Sequence, residues 1–387
     1  MSGGIVQLVA TGAQDTWLTG KPEVSFYRSS YKRYTHYANS FERQLIQGAP
    51  TAGNISTIRF EKKGDLINVI YLIAKDPTGA LIPTVDWTQV IDKVELLIGG
   101  QVIDVQDVTW MTQLEPVTGA QNFSQRFLNH NTGSTNITNG FLPLKFFFCK
   151  DWNVSLPLVA LQYHDVELRI TWGSGLGNTI TVANATNTTS SVTYSSLQYE
   201  AWVNFVYLDQ AERDYFANTP MDVLFTQVNR VPIGTNNMQE LALAHPTKFL
   251  AFQSNNYTTA YNLVLNNNGS KTAPANYQFK TQINGVDVGD SRSMFQWIDV
   301  PQYYFTPYGY NHNNQTANVA LISYCLDTSK LQPTGTLNFS RIDTYRIVAP
   351  AGVSLSTLAG GSGRYFYAVN YNVLRIKDGM AGMLYSN

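Results

Sequence analysis

Short runs in which apolar and polar residues alternate recur along the whole chain, and clusters of Gly, Pro and Asn separate them. Val, Ile, Thr, Tyr and Phe are frequent in these runs, which favours strands over helices. The pattern predicts strands at residues 56–60, 66–74, 93–98, 141–148, 165–172, 201–208, 240–243, 248–253, 277–283, 319–326, 336–339, 344–348 and 364–375. Many short strands without alternating helices indicate a sandwich or barrel.

Two tight hairpins are predicted within this set. Gly99 and Gly100 lie between alternating apolar residues in one, and Asn284 and Gly285 do so in the other. Two-residue turns of this kind need positive φ, which Gly and Asn tolerate.

One segment between the two halves has a helical pattern, residues 209–218. Asp209 can cap it, Glu212 lies at capping-box distance, and Pro220 ends it. We expect this helix to be a linker. Polar stretches at 112–140, 173–196, 255–275 and 299–318 are predicted to be loops.

The chain contains an internal repeat. LQYHDVELRI, residues 161–170, is echoed by residues 337–347 at a shift of 176, which also aligns Cys149 with Cys325 and Asp151 with Asp327. A shift of nearly half the chain predicts two copies of one domain. Together with the strand pattern, it favours an all-β fold of two tandem eight-stranded jelly rolls, with residues 161–170 and their echo contributing one core strand to each copy.

Charge excludes some function classes. The 387 residues carry 26 Lys and Arg against 27 Asp and Glu, a net charge of -1. No strong field is available to bind nucleic acid or an anionic membrane, and a near-neutral surface suits a protein that assembles. The start of the chain does not resemble a signal peptide, and the apolar runs are too short to span a bilayer. We therefore expect a protein that is soluble or held by partners.

Cys149 and Cys325 fall at matching places in the repeat. A disulfide would have to join two domains, whereas free Cys is commonly a small core residue. We therefore expect two buried free thiols, which fits a reducing compartment.

Histidines and carboxylates supply the first candidates for chemistry. The five histidines, His36, His130, His164, His245 and His312, are scattered and form no metal-binding pair. We expect His164 and His245 to lie at strand ends with their hydrogen bonds satisfied.

Asp165 and Glu167 could form the carboxylate pair of a glycosidase. The repeat aligns these with Arg341 and Asp343 and keeps one acid, which favours an exposed strand face where Glu167 and Asp343 hold the same structural contact.

Three further motifs have structural interpretations. Residues 360–364, GGSGR, lack a phosphate-loop pattern and are expected to form a flexible turn. Residues 25–38 mix Tyr with Arg and Lys, for which packing or subunit contact is favoured over nucleic-acid binding. Glycosylation is not expected at the N-x-[ST] triplets of Asn122, Asn136, Asn184, Asn187 and Asn314. We expect no catalytic, cofactor-binding or metal-binding residues.

Several motifs resemble one family along the full chain. These are the opening GGIVQLVATGAQDTWLTGKPEVSFYRSSYKRY, then DLINVIYLIA, VELLIGGQVID, PLVALQYHDVEL, LDQAERDYFA, HPTKFLAF, NFSRID and the ending NYNVLRIKDGMAGMLYSN. They are similar to the major capsid proteins of nucleocytoplasmic large DNA viruses, the double jelly-roll type of chlorella viruses, iridoviruses and giant viruses.

The resemblance implies domain bounds and an assembly. It implies an inner-face segment at 1–23, jelly rolls at 24–207 and 221–377, a helical linker at 208–220 and a tail at 378–387. It further implies a structural protein without catalysis, whose homotrimers tile an icosahedral shell as pseudo-hexagonal capsomers. The implied partners are neighbouring capsomers, minor capsid and penton proteins and internal membrane proteins, in a virion assembled in the host cytoplasm. No direct nucleic-acid contact is expected.

Two other functions stay open at this stage. The jelly roll also hosts lectins and hydrolases, so a carbohydrate-binding or glycan-processing protein is the main alternative. A nucleic-acid-binding coat that uses residues 28–33 is the other.

Overall fold

The computed structural model describes residues 3–10, 12–25, 29, 31–82, 85–119, 138–183, 189–254, 277–307, 319–361 and 363–385. The chain forms two compact units, Met1–His36 and Tyr37–Asn387. The first unit contains two short helices, α1 (Gly3–Val9) and α2 (Asp15–Thr19). The second unit contains the described strands.

The first half of the second unit is a β-sandwich. Its strands are β1 (Tyr37–Gln44), β2 (Ile46–Gln47), β3 (Ile55–Arg59), β4 (Leu66–Lys75), β5 (Val85–Asp86), β6 (Ile91–Ile98), β7 (Gln101–Asp107), β8 (Thr138–Asn139), β9 (Phe141–Pro143), β10 (Leu156–Pro157), β11 (Val166–Trp172), β12 (Thr179–Ala183), β13 (Thr189–Thr193) and β14 (Gln198–Leu208). Helices are short: α3 (Trp87–Val90), a π-helix at Trp110–Leu114 that continues into α4 (Glu115–Thr118), and 3-10 turns at Phe147–Cys149, Trp152–Val154, Leu158–Ala160, Ser174–Gly177 and Tyr194–Ser196.

The second half follows a helical linker, α5 (Gln210–Asn218). Its strands are β15 (Met221–Pro232), β16 (Met238–Glu240), β17 (Pro246–Gln253), β18 (Gln278–Ile283), β19 (Val286–Ser293), β20 (Val319–Ser323), β21 (Leu337–Asn338), β22 (Tyr345–Val348), β23 (Tyr365–Lys377) and β24 (Met380–Met383). Its helices are α6 (Met294–Phe305), α7 (Leu355–Leu358) and a 3-10 turn at Phe339–Arg341.

Both halves have similar sheet topology, with one additional short strand, β2, in the first half. The first pairs its strands in the orders β1-β14-β4-β10 and β2-β3-β11-β6-β7, and the second in the orders β15-β23-β17-β20 and β16-β22-β18-β19. These are the two sheets of a jelly roll. The predicted double jelly roll with a helical linker is therefore confirmed, and β11 and β22 are the equivalent core strands that the repeat predicted.

Strand pairing corrects the alignment of the repeat. Val166 lies opposite Ile98 beside the first hairpin, and Tyr345 lies opposite Ile283 beside the second. Val166 therefore corresponds to Tyr345, three residues beyond the position that the constant shift assigned. The predicted equivalence of Glu167 and Asp343 is wrong, because insertions and deletions in the preceding loop changed the spacing.

Part of the repeat alignment does hold. Asp151 accepts a hydrogen bond from Asn153 N at 2.9 Å, and Asp327 accepts one from Ser329 N at 2.8 Å. The two aspartates thus form the same kind of turn in the two jelly rolls.

A β-bulge occurs at the same place in both jelly rolls. The pairing of β14 with β4 skips Asn68, and the pairing of β23 with β17 skips Lys248. Both side chains are 4% exposed. Asn68 accepts a hydrogen bond from Asn204, while Lys248 donates to the carbonyls of Thr328 and Lys330.

Several boundary predictions are wrong. The strand predicted at 141–148 ends at Pro143, and the strand predicted at 319–326 ends at Ser323. Fully buried apolar runs carry no alternation that would mark where a strand stops. The predicted loops at 112–140, 173–196 and 299–318 contain, respectively, helical residues up to Thr118, the hairpin β12–β13 and the end of α6. Residues 255–275 lie outside the described part.

The linker helix is present, but its predicted cap is not. The Asp209 side chain makes no capping hydrogen bond. The helix is held instead by Arg213, whose guanidinium donates to both carboxylate oxygens of buried Asp65 at 2.9 and 3.1 Å. Asp65 also accepts from Leu208 N at 2.8 Å, so one carboxylate joins the linker to the first jelly roll.

Other predictions are confirmed. The hairpin residues have positive φ: 57° and 81° at Gly99 and Gly100, and 48° and 80° at Asn284 and Gly285. Cys149 and Cys325 are buried free thiols, and burial raises the pKa of Cys149 to about 12. None of the helices in the described part of the chain is long and apolar enough to cross a membrane.

Candidate functional site: the seam between the two jelly rolls

The two jelly rolls share a buried contact, which we call the seam. In β17 the side chains alternate between two cores: Leu250 and Phe252 pack inside the second jelly roll, while Phe249 and Ala251 belong to the cluster that fills the first. The sheet that contains β17 is therefore covered on both faces. This explains why residues 247–252 are continuously buried.

Aromatic side chains anchor the seam. Trp110, which follows β7 of the first jelly roll, stacks on Phe249 at a centroid distance of 6.3 Å and contacts the Tyr367 ring at 5.6 Å. Phe147 packs against Phe225 at 5.0 Å. Trp110 is 1% exposed, so the second jelly roll shields an indole that a separate first domain would expose in part.

Two buried carboxylates of β7 fix the register across the seam. Asp104 accepts from Val228 N at 2.9 Å, and Asp107 accepts from the Tyr367 hydroxyl at 2.6 Å. Arg230 lies 3.4 Å from Asp107. Burial raises the pKa of Asp104 to about 6 and also raises that of Asp107, although hydrogen bonds and Arg230 oppose the shift at Asp107.

A lysine-rich cavity of about 100 Å³ lies beside the aromatic anchor. Lys145 forms a buried ion pair with Glu115 at 3.2 Å. Burial lowers the pKa of Lys248, which also lines the cavity, to about 8. The Lys145–Glu115 pair lies within the first jelly roll, and Lys248 donates to carbonyls of the second, so each jelly roll supplies its own satisfied charges to the wall of the cavity.

The C-terminal strand forms the third part of the seam. Tyr163 N donates to Gly379 O at 3.0 Å, and Met383 N donates to the Gln101 side chain at 3.3 Å. His164 Nδ1 lies 3.0 Å from Ala381 O and 3.2 Å from Ala381 N. The interpretation of His164 as a satisfied structural residue is confirmed, and its partner is the second jelly roll.

Among the candidate carboxylates, Asp165 has charged side-chain partners. Asp165 forms an ion pair with Arg59 and lies 3.6 Å from Lys62. Glu167 lies opposite Arg59 and Leu97 in the sheet. In the second jelly roll, Asp343 N donates to Asn284 Oδ1. The predicted exposed strand face is wrong in part: Glu167 lies in β11 but is half-buried, and Asp165 and Asp343 lie outside the strands.

The remaining candidates give no assembled centre among the described residues. No group of three or more His, Cys, Asp or Glu side chains there could hold a metal ion. The Gly-rich segment has positive φ at Gly360, Gly361 and Gly363, and Arg364 donates to Gln253 at 2.8 Å. His130, His312, Tyr27, Arg28 and all five N-x-[ST] asparagines lie outside the described residues.

The seam residues did not stand out in the sequence. Residues 112–118 include Thr, Gln and Glu and were predicted to be a loop, yet most of this segment is buried. The sequence signal for the seam is the continuous apolar run at residues 249–252, since a strand covered on a single face alternates.

The fold and the seam define a class: double jelly-roll proteins in which the two sandwiches share a buried contact. Models of two families match consecutive parts of the chain, "Major capsid protein N-terminus" at residues 25–209 and "Large eukaryotic DNA virus major capsid protein" at residues 212–382. The chain belongs to the family of major capsid proteins of large eukaryotic DNA viruses, and is thus a virion capsid protein.

Individual relatives agree with this assignment. The major capsid protein of Paramecium bursaria Chlorella virus 1 is 31% identical, and that of Pyramimonas orientalis virus is 29% identical, each over 100% of both chains. A solved structure of PBCV-1 VP54 has a TM-score of 0.69 at 27% identity and covers 94% of this chain and 100% of that chain. The Faustovirus major capsid protein, at 12% identity and a TM-score of 0.57 over 95% and 94%, shares the fold.

Proposed function

We propose that the protein is the structural tile of an icosahedral shell, and that three chains form a pseudo-hexagonal capsomer. The observation that carries this proposal is the seam. Because one sheet of the second jelly roll is buried on both faces, the two sandwiches hold a fixed relative orientation. Three chains, each with two jelly rolls, place six similar domains in a ring. Such a ring fits a hexagonal lattice although it contains only three chains.

A capsomer in a shell needs to contact its neighbours and needs no catalytic group. We propose that capsomers contact neighbouring capsomers, minor capsid and penton proteins, and proteins of an internal membrane, with Met1 to Glu23 facing inward. Assembly in the host cytoplasm is part of this proposal, as is the absence of enzymatic activity. The ion pairs of Asp165 support a scaffold role for the candidate carboxylates.

Particle mass and shape test the proposal. Purified protein should elute with the mass of three chains by light scattering, and negative-stain images should show hexagonal outlines. A monomer at micromolar concentration would contradict it. Capsomers that bind or cleave oligosaccharides would favour the carbohydrate-binding alternative.

A further inference from the structure

Corresponding sheet faces have different surroundings in the two jelly rolls. Strand pairing relates residues of the first sheet to residues of the second, and the pairs are Phe41 with Val228, Arg43 with Arg230, Val69 with Phe249, Tyr71 with Ala251, and Trp202 with Tyr367. In the second jelly roll this face is the one that Trp110 and Asp107 cover.

The corresponding face of the first jelly roll is exposed and apolar. Phe41 is 49% exposed and Phe141 is 39% exposed. Both contact Tyr71, at centroid distances of 5.9 and 6.3 Å, and form an aromatic row across three strands. Val228, the counterpart of Phe41, is only 7% exposed. We call the aromatic row of Phe41, Tyr71 and Phe141 the open face.

The second jelly roll contains the counterpart of the covering segment. Asp107 ends β7 and accepts from Trp110 N at 2.7 Å; Ser293 ends β19 and caps α6 through Gln296. A helical segment thus begins at the same point of both folds. On α6, Val300, Tyr303 and Tyr304 are 46%, 67% and 69% exposed. Their spacing places them on one side of the helix, and we call them the α6 stripe.

We propose that the α6 stripe of one chain docks on the open face of a second copy, and so repeats between chains the contact that the seam makes within a chain. This inference rests on the proposed capsomer and names its interface. The contact is head-to-tail, since each chain offers one stripe and one open face. Such contacts either close into a ring or extend into a filament. If the rotation that relates neighbouring jelly rolls of two chains equals the rotation that relates the two jelly rolls of one chain, the ring closes at three chains.

The contact between chains is expected to be more apolar than the seam. In the seam, Arg230 of the second jelly roll forms ion pairs with Asp107 and Asp92 of the first. Its counterpart Arg43 already pairs with Glu200 of its own domain at 3.1 Å. Glu200 also binds Lys75 at 2.9 Å. The charges beside the open face are therefore satisfied before association, so trimer stability should depend only weakly on salt.

Paired substitutions test the interface. Tyr304→Asp breaks the stripe and Phe41→Asp breaks the open face, and each should weaken association at least a hundredfold and give monomers in light scattering. Tyr215→Asp, at a 60% exposed position on the linker helix, is the matched control and should leave trimers intact. Trimers that persist in both test variants would overturn the inference and leave the capsomer standing. A monomeric wild-type chain would instead overturn the proposed function.

A mixing experiment tests the head-to-tail geometry. The Phe41→Asp chain retains its stripe and the Tyr304→Asp chain retains its open face, so an equimolar mixture should form a one-to-one dimer. A mixture that stays monomeric would contradict the proposal. Because a charged substitution can impair folding, we propose a second measurement on the double variant Tyr304→Cys with Phe41→Cys. A thiol-specific cross-linker should join the two cysteines of neighbouring chains and give covalent trimers. Cross-links found only within single chains would contradict the proposed contact.

Discussion

The Tyr367 hydroxyl donates a 2.6 Å hydrogen bond to the Asp107 carboxylate, and the two residues are 260 positions apart in the chain. Asp107 ends a strand of the first jelly roll, and Tyr367 lies in a strand of the second. Both are buried. This bond therefore reports directly on whether the two domains are docked.

Tyr367→Phe should destabilise the protein by about 1–3 kcal/mol, because it removes a donor from a buried carboxylate and leaves the ring packing in place. Chemical denaturation checks this value. Tyr385→Phe removes a tyrosine hydroxyl from a side chain that is 57% exposed and serves as the control. Equal stability of the two variants would show that the bond contributes nothing to docking.

The seam should make stability depend on pH through Asp104. Burial raises its pKa to about 6, above the value of about 3.9 for an unfolded chain, so the folded state binds this proton more tightly. The stabilisation is complete below about pH 4 and is lost as pH rises through about 6, with an upper limit of about 3 kcal/mol. The difference between the unfolding free energies of the wild type and Asp104→Asn should follow this curve. A difference independent of pH would contradict it.

The second hairpin allows backbone strain to be separated from hydrogen bonding. Asn284 has φ of 48°, and its side-chain oxygen accepts from Asp343 N and Thr344 N, both at 3.0 Å. Asn284→Gly removes the two bonds and accommodates the backbone, whereas Asn284→Ala adds strain. We expect losses of about 1 and 2–3 kcal/mol respectively in thermal unfolding. Alanine as stable as glycine would show that φ is not constrained there.

Arg213 should stabilise the linker through its bidentate contact with Asp65. Arg213→Ala leaves a 5% exposed carboxylate with Leu208 N as its described partner, so the denaturation midpoint should fall. Asp214→Ala, at an exposed position on the same helix, should change stability by less than about 0.5 kcal/mol. Denaturant unfolding of the two variants distinguishes a specific contact from a general effect on the helix.

The sequence predicted the fold well because local rules govern its elements. Period-two alternation located most strands, and the positive-φ dipeptides at Gly99 and Asn284 located two hairpins. It could not predict the seam, because Asp104, Asp107 and Trp110 contact the second jelly roll through residues more than a hundred positions away in the chain. The loop predicted at 299–318 has a different cause: Pro301 lies inside α6, and a proline in a sequence normally marks a turn or the end of a helix.

The position of β23 constrains the order in which the protein can be made. This strand lies between β15 and β17, carries Tyr367, and pairs with β24 at the end of the chain. Because β23 is synthesised after β15 and β17, a chain that stops before Tyr365 can complete the strands of the first jelly roll but neither the second jelly roll nor the seam. Translation through β23 is therefore a prerequisite for the buried contact between the two jelly rolls, and chains that lack this strand cannot form it.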